Sequence, residues 1–236
     1  MDGVLLIDKP VGMTSHDVVA AVKRALGGPR TGHAGTLDPF ATGLLLVLVG
    51  RATKSQQELM SLAKSYQTLA QLGAVSSTGD TEGEITDTGR VPDPGVPLPT
   101  GEVRQRPPAY SAVKIGGERA YKRARRGESF EMPERIVTVY AFQELWREPA
   151  ADPGAPGPRA AYAIQCGSGT YVRSLIEDLG DGYCLELRRT AIGPFEVGSA
   201  APPPQRGESL KESQLINLQD ALETARAFQP PEPAPH

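Results

Sequence analysis

Residues 31–50 run "TGHAGTLDPFATGLLLVLVG". Positions 44–49 are six consecutive apolar residues of strand length with no polar alternation. Such a run is expected as a central strand, buried on both faces. A polar loop leads into it, carrying an ionisable carboxylate, Asp38, between Leu37 and Pro39. An Asp-Pro step by itself favours a turn or a cap. The neighbours add a second reading. Gly32 and Gly35 permit close approach of a ligand or another backbone segment, and His33 and Thr36 place hydrogen-bonding groups beside the carboxylate. A polar loop feeding a buried strand mounts a reactive group on a rigid base.

Working outward, "GVLLID" (3–8) predicts a short buried strand, and "KPVGMTS" a turn in which Thr14 or Ser15 caps a helix. Val18, Val22 and Leu26 recur at i+4, and the helix is expected to stop at Gly27-Gly28. A second helix is expected over 52–63, with Leu59 and Leu62 inward. Residues 65–75 alternate with period two, as a half-buried strand does. The polar stretch 76–89 predicts a loop, and 91–101 carries too many prolines for a regular element. Two strands are expected over 135–146 and 160–167, split by the Pro/Gly/Ala-rich link 148–158. A helix over 169–180, a strand pair over 187–197 and a last helix over 216–228 complete the chain, ahead of a Pro-rich tail at 230–236. The fold class is α+β, with a mixed, mainly antiparallel central sheet flanked by helices.

At 236 residues the chain can bury a full core, as one large domain or two small ones. It holds no run of eighteen apolar residues, so no membrane helix is expected. The N-terminus has no basic stretch ahead of an apolar one, so no secretory signal is expected. Two cysteines, Cys166 and Cys184, suit a reducing cytosol and a cytoplasmic location. The net charge of −3 conceals an asymmetry: between 104 and 126 stand eight Lys/Arg against the single acid Glu118. A concentrated basic patch can hold a polyanion locally. Three histidines, one of them in the tail, argue against a histidine metal site. There is no HExxH, no Walker-type loop, no GxGxxG after a strand and no GxSxG elbow.

Five blocks occur in order: "GVLLIDKPVGMTSHDVV", "GHAGTLDPFATGLL", "KSYQTLAQLG", "RPPAYSAVKIGGERAYKRARRGE" and "GTYVRSLIEDLG". Together they resemble the TruB-type tRNA pseudouridine synthases, relatives of the dyskerin catalytic subunit, over nearly the whole chain. The resemblance implies the pseudouridine synthase fold and isomerisation of uridine to pseudouridine in the T-loop of tRNA, at the position conventionally numbered 55. It implies no cofactor and no metal, because the reaction is neither a redox step nor an external group transfer. By resemblance Asp38 is the nucleophile, Arg173 is its charge partner, and Tyr66 stacks on the target base and assists proton removal at C5. His33 is expected to pack against flipped-out nucleotides, and Lys9 and Leu187 to line the pocket. Arg106, Lys114, Lys122 and Arg123 belong to a thumb-like segment, about 102–133, that presses the RNA stem-loop into the cleft. Taken without the resemblance, each of these residues has an ordinary structural reading as a turn, core or solvated-surface residue.

The expected organisation is one catalytic domain over 1–229 without a C-terminal PUA-type domain, a monomer with tRNA as its partner, no membrane and no protein partner implied. Residues 91–101 are shorter than the corresponding helical stretch of relatives, and 181–190 is trimmed by several residues. Two further functions fit the same cleft: an RNA-binding or RNA-folding protein without turnover, and a synthase acting on another structured RNA loop.

Overall fold

The computed structural model describes residues 1–111, 113–149 and 157–233; most of the link expected at 148–158 and the end of the tail lie outside the described residues. The first elements are β1 (Gly3–Lys9), α1 (Ser15–Ala25), β2 (Thr31–His33), β3 (Thr42–Val49), α2 (Gln56–Ser61), β4 (Lys64–Leu72), β5 (Ala74–Ser76), β6 (Ile85–Asp87) and β7 (Gly101–Gln105). There follow β8 (Lys114–Ile115), β9 (Glu118–Arg119), α3 (Ala120–Arg125), β10 (Arg135–Arg147), β11 (Arg159–Cys166), α4 (Val172–Glu177), β12 (Gly182–Ile192), β13 (Phe195–Glu196), β14 (Ile216–Asn217) and α5 (Leu218–Ala227). Contacts divide the chain into two units: Met1–Gln67 with Leu187–Pro231, and Thr68–Glu186. Strands β4 and β12 run through both. None of the described helices is long and apolar enough to cross a membrane.

In the first unit β3 is the central strand that the apolar run predicts. It pairs antiparallel with β1 from Gly3↔Val49 to Lys9↔Gly43, antiparallel with β2, and parallel with β12 through Arg188↔Thr42 and Arg189↔Gly43. Residues 44–49 are all 0% exposed, which is possible because each face has its own cover. Leu44, Leu46 and Leu48 pack with Leu59 of α2 and with Ala221, Leu222 and Ala225 of α5. Leu45, Val47 and Val49 pack with Val18, Val19, Val22 and Leu26 at the other face. Burying such aliphatic side chains stabilises by about 1.5–3 kcal/mol each. Helix α1 starts at a capping box: Thr14 Oγ1 accepts from the Asp17 amide at 3.1 Å, and the Asp17 carboxylate accepts from the Thr14 amide at 2.9 Å. It ends before Gly27 and Gly28, at φ +80° and +98°, a conformation cheap only for glycine.

The second unit orders its strands β12-β4-β11-β10-β7. Strands β10 and β11 are antiparallel, with register shifts between Val139 and Ala141 and between Glu144 and Trp146. The Phe142 and Tyr162 rings meet edge to face there at 5.5 Å between centroids. The parallel pairing of β12 with β3 makes the mainly antiparallel sheet mixed, as expected.

Several boundaries differ from expectation. The helix expected over 52–63 is a 3-10 turn, Gly50–Ser55, followed by the six-residue α2. The Asp2 carboxylate, which accepts from the Arg51 amide at 2.6 Å and from Arg51 Nε, holds the start of this segment. The strand expected over 65–75 stops at Leu72, where Gly73 takes φ +81° and its amide bonds the Asp181 carbonyl at 2.8 Å. Residues 85–87, expected within a polar loop, form β6, which pairs antiparallel with β5. Strand β12 begins at Gly182, so the trimmed stretch is itself strand.

Candidate active site

The loop between β2 and β3 is held from three directions. Asp38 and Ala41 close a turn, Ala41 N–H donating to the Asp38 carbonyl at 3.1 Å with Pro39 inside it. The expected Asp-Pro turn is therefore present and is made by backbone groups; Asp38 itself is half-buried. Ser15, buried at the start of α1, takes both backbone groups of Leu37: Oγ accepts from the amide at 2.8 Å and donates to the carbonyl at 3.0 Å. Gly12 N–H donates to the Pro39 carbonyl at 2.9 Å.

Two buried cations complete the grip. Lys9, 0% exposed at the end of β1, donates from Nζ to the carbonyls of Met13 at 2.7 Å, Pro10 at 3.0 Å and Pro39 at 3.3 Å. Burial pushes its pKa down to about 8, against the charge of Asp38, which favours the protonated form. Arg189, from the middle of β12, donates to the carbonyls of Leu44 at 2.8 Å, Gly35 at 3.2 Å and Thr36 at 3.3 Å. Its neighbour Arg188 faces the other way and pairs with Asp8 at 2.7 Å, half-exposed. His33 lies in β2 opposite Val47, half-buried, and its carbonyl accepts from Gln56 Nε2 at 2.8 Å. Tyr66 is half-buried on β4, and Leu187 is buried on β12 at 7% exposure. The first unit thus holds Asp38, Lys9, His33, Tyr66 and Leu187, with Lys9 in direct contact with the Asp38 loop.

Arg173 belongs to the second unit, in α4, and is buried. Its guanidinium pairs with Asp80 at 3.3 Å and donates to the carbonyls of Thr78 and, at 3.0 Å, Tyr110. Asp80 in turn accepts from Thr78 Oγ1 at 2.6 Å and from the Glu82 amide at 3.0 Å through Oδ1. Gly79, at φ +74°, lies so close that a Cβ there would sit 3.1 Å from Arg173 Cβ. A charge this deep is tolerated only when paired and hydrogen-bonded. Beside it a cavity of about 780 Å³ is lined by residues 76–79, 106–109 and 129–132 and by Ser174, Glu177 and Asp178. Burial, helped by Asp178 and Asp181, raises Glu177, and burial raises Asp178. Ser174 Oγ donates to the Arg106 carbonyl at 2.9 Å, tying α4 to the start of the basic segment.

Within that segment β8 and β9 form a hairpin whose two-residue turn, Gly116-Gly117, has φ +59° and +88°. Positive φ at both positions is what such tight turns demand. Helix α3 follows, and Arg125 lies 5.7 Å from the Tyr121 ring centroid. The cations are not all available to a ligand. Arg126 pairs with Glu118 at 2.7 Å and Glu128 at 2.7 Å, Arg123 pairs with Glu128 at 2.8 Å, and Arg106 pairs with Glu134 at 3.1 Å. Arg104, Lys114, Arg119, Lys122 and Arg125 make no ion pair among the described residues. Those five are the free positive charge, so Lys114 and Lys122 keep a phosphate-holding capacity that Arg106 and Arg123 share with glutamates.

Sequence reading missed Ser15, Arg189 and Asp80. Ser15 was visible only as an alternative cap, Arg189 as one of twin arginines, and Asp80 as one acid in a polar loop. Among the described residues no group of three or more His, Cys, Asp or Glu is placed to hold a metal ion.

The model of the TruB family pseudouridylate synthases (N-terminal domain) matches residues 23–172. The tRNA pseudouridine synthase B of Streptomyces coelicolor is 44% identical over 222 residues, covering 89% of this chain and 74% of the relative. That of Ectopseudomonas mendocina is 38% identical over 242 residues, covering 98% and 74%. Among solved structures, a chain of a Cbf5-Nop10-Gar1 complex superposes with a TM-score of 0.58 at 30% identity, over 94% of this chain and 54% of that one. A chain of an H/ACA RNP bound to a substrate RNA containing 2′-deoxyuridine gives 0.57 at 28% identity, over 94% and 52%. The present chain thus spans about half the length of those solved chains. With two thirds or more of the curated relatives covered at this identity, the chain belongs to the TruB family of pseudouridylate synthases.

Proposed function

We propose that this chain isomerises uridine to pseudouridine in the T-loop of tRNA, at position 55, with Asp38 as nucleophile. The reaction breaks the bond from C1′ to N1 of uracil, turns the base in place and joins C1′ to C5. The proton leaving C5 is balanced by one gained at N1, so no oxidant or reductant enters. In this reading the Asp38 carboxylate attacks the anomeric carbon as it gains oxocarbenium character, the chemistry that glycosidase carboxylates perform. Tyr66 stacks on the base and assists proton removal at C5. Arg173 is the counter-ion that keeps the carboxylate charged when RNA closes the site. His33, Lys9 and Leu187 shape the pocket, and segment 102–133 acts as a thumb on the RNA stem. The target must leave its stack at a cost of a few kcal/mol, which is smaller in a loop than in a duplex.

The observation that carries the reading is the backbone of the Asp38 loop, fixed by Ser15, Lys9 and Arg189 on a fully buried strand. That rigidity is what a positioned nucleophile needs. The names of the curated relatives supply the RNA class. The test is incubation of the full chain with T-loop minihelix RNA, followed by carbodiimide treatment and primer extension. A single stop at the target uridine, absent with Asp38→Asn although that variant still binds the RNA, is the expected result. No modification refutes an enzymatic role on this RNA and favours a binding protein; modification at another loop relocates the substrate.

A further inference from the structure

Arg189 is 1% exposed and among the largest fully buried side chains of the molecule. No carboxylate pairs with it among the described residues. A buried guanidinium without a counter-ion is expensive, and a Leu or Met would fill the same space without that cost. What Arg189 has instead is a match of donors to acceptors. Nε meets the Leu44 carbonyl at 2.8 Å, Nη2 that of Gly35 at 3.2 Å and Nη1 that of Thr36 at 3.3 Å. These carbonyls bracket Asp38, two before it and one after. The backbone of Arg189 holds the same loop by a second route. It pairs with Gly43, which has φ +103°, and a Cβ at Gly43 would run into the Arg189 backbone. Lys9 senses both Arg189 and Asp38 electrostatically, so the three charges lie near one another.

We propose that Arg189 is a positioning residue of the reaction, which fixes the Asp38 carboxylate by clamping the carbonyls on either side of it. The inference rests on the reading of Asp38 as nucleophile. The guanidinium fork is rigid and planar, so a lysine reproduces its charge without its geometry. Displacing the loop by about 1 Å is enough to lose ~100-fold in rate.

The test compares Arg189→Gln, Arg189→Lys, Asp38→Asn and, as a stability control, Leu222→Ala, which opens a cavity under α5. RNA affinity, single-turnover rate and thermal midpoint are measured for each full-length protein. Arg189→Gln is expected to bind T-loop RNA within about threefold of wild type while its single-turnover rate falls ~100-fold. Arg189→Lys should recover part of that rate, and Leu222→Ala should lose stability without losing rate. If Arg189→Gln does not fold, the Arg189→Lys rate decides. A folded Arg189 variant as fast as Leu222→Ala, with Asp38→Asn inactive, overturns the positioning role and leaves the reading of Asp38 standing. Turnover by Asp38→Asn overturns the reading itself, and the positioning role with it.

Discussion

Replacing Asp80 by Asn removes one charge from a buried ion pair. The side chains of Arg173 and Asp80 are 4% and 5% exposed and lie 3.3 Å apart. The Asn Oδ1 can still accept from Thr78 Oγ1 and the Glu82 amide, which now reach Oδ1 at 2.6 and 3.0 Å. The other terminus becomes an NH₂ group facing an Arg173 N–H, donor against donor. Breaking a buried pair by removing one partner costs about 3–5 kcal/mol. The two retained hydrogen bonds, and the Thr78 and Tyr110 carbonyls that still accept from Arg173, reduce this to about 2–3 kcal/mol. For a chain of this size that is a drop in melting temperature of about 5–10 °C. Because Arg173 is reoriented as well, the single-turnover rate on T-loop RNA should fall by ~100-fold with RNA affinity nearly unchanged. Calorimetry and quenched single-turnover reactions read the two effects separately. An Asp80→Asn protein that melts within about 1 °C of wild type and reacts at the same rate refutes the assignment of Asp80 as a group that holds Arg173.

Lys9 supplies a pH test. Its pKa in the fold is about 8 against an ordinary 10.5, so the unfolded chain holds the proton more tightly. Stability of the wild type should therefore rise between about pH 8 and pH 10.5 relative to Lys9→Met. Urea unfolding of both proteins across that window checks it, and a difference that stays flat or falls refutes the buried-lysine assignment. Ser15→Ala strips partners from both the amide and the carbonyl of Leu37, which should destabilise by about 1–3 kcal/mol and slow turnover more than it weakens RNA binding. Stability and rate equal to wild type would show that the loop is held without it. On the basic segment, Lys114→Ala and Lys122→Ala should each lower the slope of log affinity against log salt by about 1. Arg126→Ala, removing a cation already neutralised by Glu118 and Glu128, should change it less. Equal effects would show that RNA displaces the glutamates.

The features that local chemistry forces were legible in the sequence. Six consecutive apolar residues can be accommodated only where both faces are covered, and residues 44–49 are covered by α1 on one side and by α2 and α5 on the other. A cap followed by i+4 valines and a Gly-Gly stop set the limits of α1. The Asp-Pro turn and the two-glycine hairpin of the basic segment are likewise properties of a few adjacent residues. By contrast, β6 escaped because its residues are exposed and bury nothing. The 3-10 turn ahead of α2 escaped because Asp2, 49 residues away, holds Arg51.

The support of the site was decided by tertiary structure alone. "LRRT" does not say which arginine is buried; the register of β12 on β3 sends Arg188 out to Asp8 and Arg189 in to the carbonyls around Asp38. The hydroxyl of Ser15 became available to Leu37 only because Thr14 took the cap. Asp80 gained its meaning from an arginine 93 residues away. Alternation along a strand fixes which residues share a face, but the face that meets the core is chosen by the neighbouring strand. The amino-acid string therefore determined that a carboxylate stands at the mouth of a buried strand, and long-range pairing determined which side chains hold it there.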